Sequence, residues 1–159
     1  MIERVLTIGV YGKTESEFFE ALKKAEVDTF CDIRMRRGVR GSQYAFVNST
    51  KLQSRLAEAG IKYIYEQHLA PTRRIRELQH NADEEEGITK RTRQELGPTF
   101  KSHYEQDILA PFDTSRFRER IYDSQRVVLF CVEGTPGACH RSLVAERLKA
   151  DWDVPVEHL

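Results

Sequence analysis

A chain of 159 residues, 40% apolar and 31% charged, is long enough for one domain with a real core and too apolar for a disordered tail. Its 25 Lys and Arg residues balance 25 Asp and Glu residues, which excludes a global field that would draw it to nucleic acid or a membrane surface, so any affinity for a polyanion must come from a local patch. No apolar run approaches the ~18 residues of a membrane span, and Met1–Leu6 leads straight into a strand-like segment without a signal-peptide pattern; Cys31, Cys131 and Cys139, odd in number and unevenly spaced, predict reduced thiols in a cytoplasmic protein.

In chain order, Arg4–Gly9 reads as a strand through Val5, Leu6 and Ile8. Tyr11-Gly12-Lys13 turns the chain, and Thr14 with Glu17 makes a capping-box signature for a helix carrying Phe18, Phe19, Leu22 and Ala25 on one face. Val27–Ile33 is a second buried strand, followed by an arginine-rich loop from Arg34 to Tyr44. Asn48, Ser49 or Thr50 caps the next helix, whose Leu52, Leu56 and Ala59 face inward and which Gly60 ends. Ile61–Tyr65 is the third strand.

Residues 69–98 are almost wholly polar, with basic runs at Arg73-Arg74 and Lys90-Arg91 around acidic Asp83–Glu86. The default expectation is a solvated, partly helical excursion, with a mobile lid over a site as its alternative. Phe100–Tyr122 is helical at each end with a break at Pro111. Arg126–Cys131 is the fourth strand, Glu133–Gly137 a turn, Ala138–Ala150 a helix, and Val154–His158 a short fifth strand. The alternation predicts a single α/β domain over 1–159, with a mostly parallel sheet of about five strands flanked by helices and the charged excursion between the third and fourth.

Ligands of open parallel sheets bind outside the carboxyl ends of the strands, and two loops there are chemically loaded. In the first, Arg34, Arg36, Arg37 and Arg40 stand against Asp32 alone, with Tyr44 and Phe46 close by. Planar guanidinium forks suit phosphate, and interleaved aromatics suit bases, whereas a bland reading pairs Arg34 with Asp32 in a solvated loop. In the second, Cys131-Val-Glu133-Gly-Thr-Pro-Gly-Ala-Cys139-His140-Arg141 joins a strand end to a helix start, where free amides favour anions and lower a thiol pKa. Cys139 is the candidate nucleophile, with Cys131, Glu133 and Asp32 as further catalytic candidates. Glu133 alternatively pairs with Arg141 or Arg34, and Cys131 is alternatively an inert core thiol.

Sharper signatures fail. A tyrosine-phosphatase or rhodanese loop would place an arginine at position 137, which is Gly, and no Walker loop is present. Tetrahedral zinc on Cys131, Cys139 and His140, with Glu133 or His68 as fourth ligand, lacks a paired C-x-x-C and uses adjacent residues, so no metal is assigned and the cofactor stays open.

Thr7-Ile8-Gly9, Cys31-Asp32-Ile33-Arg34, Gly60-Ile61-Lys62-Tyr63 and the stretch from Cys131-Val132-Glu133 to Cys139-His140-Arg141-Ser142 together resemble the DUF488 family over nearly the whole chain. The Cys-x-Glu and Cys-His-Arg-Ser pairing is the specific part. The chain looks most like the branch with Gly-Val-Tyr-Gly after the first strand and Arg-Arg-Gly-Val-Arg-Gly after the second, where other members carry His-Ser and a proline. The resemblance implies a compact α/β domain in a prokaryotic cytosol and supplies no reaction.

Three readings follow. The first is an enzyme on a phosphorylated or nucleic-acid substrate, bound through Arg34, Arg36, Arg37, Arg40, His140 and Arg141 with Gly9 and Tyr11 at the first loop. The second is a non-catalytic nucleic-acid or nucleotide-binding module using the same arginines. The third is a metal or redox protein built on Cys131 and Cys139. Neither a membrane partner nor an oligomeric state follows from the sequence.

Overall fold

The computed structural model of the chain describes residues 1–90 and 92–159. Arg91, part of the Lys90-Arg91 run, lies outside the described residues. Five strands, β1 (Arg4–Ile8), β2 (Thr29–Asp32), β3 (Lys62–Tyr65), β4 (Arg126–Phe130) and β5 (Val156–His158), form one sheet in the order β3-β2-β4-β1-β5. Every pairing is parallel. Six α-helices flank it among the described residues: α1 (Glu15–Lys24), α2 (Ser49–Glu58), α3 (Arg73–Glu86), α4 (Pro98–Tyr104), α5 (Thr114–Arg120) and α6 (His140–Trp152). None is long and apolar enough to cross a membrane.

A parallel strand buried on both faces has no polar side to show, which is why β4 is the near-continuous apolar run Val127–Phe130, each residue wholly buried. The capping box at α1 forms as expected: Glu17 N donates to Thr14 Oγ1 (3.1 Å) and Thr14 N donates to Glu17 Oε1 (3.1 Å). The helix so started buries Phe18 against Phe30, Phe46 and Phe130. Losing a fully buried phenylalanine of this kind costs about 3–5 kcal/mol. On α6, Val144, Ala145, Leu148 and Trp152 are buried at helical spacing, and this helix packs along β1, β4 and β5.

The pass between Phe100 and Tyr122 breaks as the sequence predicts: α4 runs through a π-helical turn (Glu105–Leu109), Pro111 interrupts, and α5 restarts behind the Asp113 cap. The charged excursion over 69–98 is partly helical, as expected, but one face of it is not solvated: α3 buries Ile75, Gln79 and Asp83, and Arg93 and Leu96 are buried behind it. Thr72 caps its start by accepting from Ile75 N (3.3 Å), and Gly87 ends it at φ 71°, a left-handed conformation costly for residues with a Cβ. Charge balance misleads here because acids and bases cancel equally well inside a paired network and in water.

β4 enters the sheet late in sequence and lies between β2 and β1, with Phe130 in register with both Asp32 and Ile8. The carboxyl ends of these three strands are therefore side by side. That brings the arginine loop, the turn after β1 and the cysteine loop into contact.

Candidate functional site

The arginine loop is held from both sides. Val39 N donates to Asn48 Oδ1 (2.7 Å) and Ser49 N donates to the Arg37 carbonyl (2.8 Å), so Asn48, expected as a helix cap, spends its side chain on the loop instead. At the loop's root, Arg34 makes a bidentate pair with Asp32, Nε to Oδ1 at 2.9 Å and Nη2 to Oδ2 at 2.8 Å. Tyr63 Oη donates to the same Oδ2 (2.8 Å), and the Arg34 guanidinium lies 4.7 Å from the centre of the Phe130 ring. The Asp32–Arg34 pair foreseen for a solvated loop is thus a buried one, with side chains 0% and 3% exposed. Asp32 spends its carboxylate on Arg34 and Tyr63, which makes it a positioning group.

The cysteine loop closes against the turn after β1. Val10 N and Tyr11 N both donate to the Val132 carbonyl (3.0 Å each), and Arg141, wholly buried, donates to the carbonyls of Glu133 and Gly134. A Cβ on Gly9 would lie 1.9 Å from the Glu133 carbonyl oxygen, so only glycine permits this approach. Gly9 and Arg141, expected to contact substrate, instead shape the loop that presents Glu133.

Between these loops and α3 lies a cavity of about 490 Å³, a volume suited to a small molecule. Arg34, Arg36, Arg40 and Tyr11 reach it from the sequence-predicted set, as do Cys131, Glu133 and His140. Arg37 turns away and stacks on Tyr65, 4.3 Å from the ring centre. His68 is exposed and pairs with Glu66 (3.0 Å), outside the cysteine cluster.

Sequence reasoning missed the far wall. Arg76, Gln79, Asp83, Lys90 and Arg93 line it from 69–98. Arg93 is the hub: it donates to Asp83 (2.7 Å), to Glu133 Oε1 (3.0 Å) and twice to the Ala138 carbonyl (2.9 and 3.1 Å). Glu133 therefore pairs with Arg93, and with Lys90 at 3.7 Å, rather than with Arg141 or Arg34. The signal available in the sequence was Thr72 ahead of Ile75, Leu78 and Gln79 at helical spacing, with Gly87 behind.

Among the described residues, Arg34 Nη1, Arg76 Nε, Glu133 Oε2 and Arg141 Nε are buried with no hydrogen-bond partner. The first three belong to side chains of the cavity wall. Buried polar atoms are nearly always paired, so these three leave hydrogen-bonding capacity unspent in the side chains of the cavity wall.

The thiols sit at the deep corner. Cys139 Sγ is 3.8 Å from His140 Nδ1, and His140 Nε2 is 3.0 Å from the Ile33 carbonyl. A carbonyl only accepts, so Nε2 carries a hydrogen and Nδ1 is the nitrogen that faces Cys139. Burial works against a charged ring, but the neighbouring Cys139 outweighs it and raises His140. Burial alone would raise Cys139, but the hydrogen bond from Cys131 and the charge of His140 outweigh it and hold the thiol well below its ordinary range. Cys131 is pushed up by giving that hydrogen bond and by burial. Glu133 is raised by burial first and by the neighbouring Cys139 second. Cys131 lies on the cavity wall, while Cys139 is behind it and 1% exposed. Cys31 is a wholly buried core thiol, raised by burial. The three donors Cys131, Cys139 and His140 form the one group among the described residues able to hold a metal ion.

The model of the family described as "Domain of unknown function DUF488" matches residues 14–148. The chain belongs to the DUF488 family. Neither the curated proteins nor the solved structures contain a significant match to it. The matched DUF488 region takes in the arginine loop, α3 and the whole cysteine loop, so the cavity lies inside the family's common part, apart from the turn after β1.

Proposed function

We propose that this DUF488 protein is an enzyme acting on a small phosphorylated substrate, with a single nucleotide as the largest unit admitted. The observation that supports it is the set of unpartnered polar atoms on side chains of one cavity wall: two guanidinium nitrogens, Arg34 Nη1 and Arg76 Nε, and one carboxylate oxygen, Glu133 Oε2. Arg36 and Arg40, exposed at the cavity's edge, supply further positive charge along the approach. The corner made by Cys131, Glu133, Cys139 and His140 carries the reaction, a hydrolysis or group transfer. A binding module would use the arginines equally well, but has no need of two thiols, a histidine and a desolvated carboxylate beside them.

The test is calorimetric titration with inorganic phosphate and with the nucleoside 5′-monophosphates, in the wild type and in Arg76→Ala. A hydrogen bond to a charged group is worth about 1.5–3 kcal/mol, so the variant should bind about 10-fold or more weakly with an unchanged melting temperature. Once a turned-over compound is found among those that bind, Glu133→Gln should abolish turnover and leave binding within a few-fold. A wild type that binds no phosphorylated compound sinks the substrate class. Binding that depends on Arg76, with no bound compound turned over, would leave only the non-catalytic module, and turnover indifferent to Glu133 and both cysteines would refute the assigned corner.

A further inference from the structure

Cys131 Sγ, Cys139 Sγ and a ring nitrogen of His140 all lie within 4.8 Å of one another, and the Cys139–His140 pair is 3.8 Å apart. Around a tetrahedral zinc ion, with bonds of about 2.3 Å to sulfur and 2.0 Å to nitrogen, two sulfurs and a nitrogen stand about 3.5–3.8 Å from each other. The donors are within a small side-chain adjustment of that spacing. Adjacent residues inside a helix point to different sides, which would argue against Cys139 and His140 sharing one ion. That restriction does not hold here, because Cys139 is the extended residue before α6 (φ −134°, ψ 144°) and His140 is its first helical residue.

A second observation is independent of the sulfurs. His140 Nε2 is anchored on the Ile33 carbonyl (3.0 Å), which fixes the ring plane and turns Nδ1 toward Cys139. Metal-binding histidines characteristically hold their distal N–H on a carbonyl or carboxylate in this way. The third observation is direction: Cys131 and His140 reach the cavity wall while Cys139 lies behind, so an ion among the three has its remaining side toward the cavity.

We propose that Cys131, Cys139 and His140 bind one zinc ion as three protein ligands, with the fourth position open to the cavity. Two thiolates and an imidazole favour zinc over magnesium or calcium, which prefer oxygen. Three protein ligands with one open position is the pattern of a catalytic zinc rather than a structural one. Loading displaces the proton of the Cys131 thiol, and any proton on His140 Nδ1, to solvent, since only thiolates and an unprotonated ring nitrogen coordinate. The inference deepens the proposed function and rests on it: the cavity is the reaction centre, and a substrate oxygen or a water in it gains a seat on a Lewis acid beside the arginines that hold the phosphate.

The experiment uses the full chain, purified under reducing conditions without chelator. Elemental analysis should find close to one zinc per chain. Metal-stripped protein titrated with zinc against a chromophoric chelator should rebind it, and Cys139→Ser should weaken that by more than about 100-fold. Cobalt loading should give thiolate-to-metal charge-transfer absorption together with visible bands of tetrahedral cobalt. Without any substitution, zinc should protect Cys131 and Cys139 of the wild type from alkylation and leave the labelling of Cys31 in unfolded protein unchanged. Metal-stripped wild type that fails to compete for zinc, or alkylation that zinc does not slow, overturns the site even if a cysteine variant misfolds. Phosphate titration of the stripped protein separates the two readings: anion binding without a zinc site removes the metal alone, and a zinc site without anion binding removes the substrate class alone.

Discussion

Replacing either partner of the Asp32–Arg34 pair should be far more damaging than replacing both. The side chains are 0% and 3% exposed, joined by two charge-assisted hydrogen bonds of 2.9 and 2.8 Å, and Tyr63 adds a third to the carboxylate. Asp32→Asn leaves a buried guanidinium without its counter-charge, and Arg34→Met leaves a buried carboxylate with no counter-charge, held only by Tyr63 and the backbone N–H of residue 34. Breaking a buried pair from one side costs about 3–5 kcal/mol, whereas replacing both members by groups of similar volume is often close to neutral. With a urea slope of about 2 kcal/mol/M, each single substitution lowers the unfolding midpoint by about 1.5–2.5 M. The double variant should recover most of that, for a coupling of about 5 kcal/mol or more. Fluorescence of the sole tryptophan, Trp152, packed on Phe117 away from the cavity, reports the transition without touching the pair. Single costs below about 1 kcal/mol, or costs that simply add in the double variant, would refute this account of the loop's root. The recovered double variant should nevertheless bind phosphate weakly, because the orphaned Arg34 Nη1 has gone.

Gly9→Ala forces the turn after β1 away from the Glu133 carbonyl, which its Cβ would approach to 1.9 Å; overpacking of about 1–3 kcal/mol should lower the melting temperature by about 2–12 °C in a calorimetric scan and disturb binding through Glu133. Thr14→Ala removes the α1 cap at a cost of about 0.5–2 kcal/mol, and equilibrium unfolding should register it while phosphate affinity stays unchanged. Tyr63 is pushed up to about 12, first by burial and further by the Asp32 charge, against the Arg37 hydrogen bond that lowers it. A raised phenol favours the folded state while protonated, so its contribution is intact below about pH 10 and is lost as pH climbs toward 12. Ultraviolet titration should show a late-ionising tyrosine that Tyr63→Phe removes, together with a flatter alkaline limb in stability.

The sheet was readable because β4 and β2 need unbroken apolar runs, and the helices because Thr14, Glu17 and Gly60 are punctuation with a local cause. The meeting of the two loaded loops was also readable, since loops at the carboxyl ends of a parallel sheet converge. What remained hidden depends on contacts distant in sequence. Nothing near Arg141 says that its guanidinium will serve the carbonyls of Glu133 and Gly134, because that role exists only once Gly9 lets the turn after β1 close. Asp83 and Arg93 sit in a stretch whose composition is that of a solvated surface, and only their mutual pair and the pairing of Arg93 across 40 residues to Glu133 make them interior. The order of the thiols was likewise a matter of depth: helix-start chemistry singles out Cys139, while position along β4 puts Cys131 at the wall.

Arg93 has a consequence for how the molecule breathes. One guanidinium fastens α3, the carboxylate of Glu133 and the turn before α6, so none of these can detach without stranding a buried charge. The cover of the cavity and its reacting corner should therefore exchange their amide hydrogens as a single cooperative block, with ligands passing through the gap beside Arg36 and Arg40 instead of beneath a lifting helix.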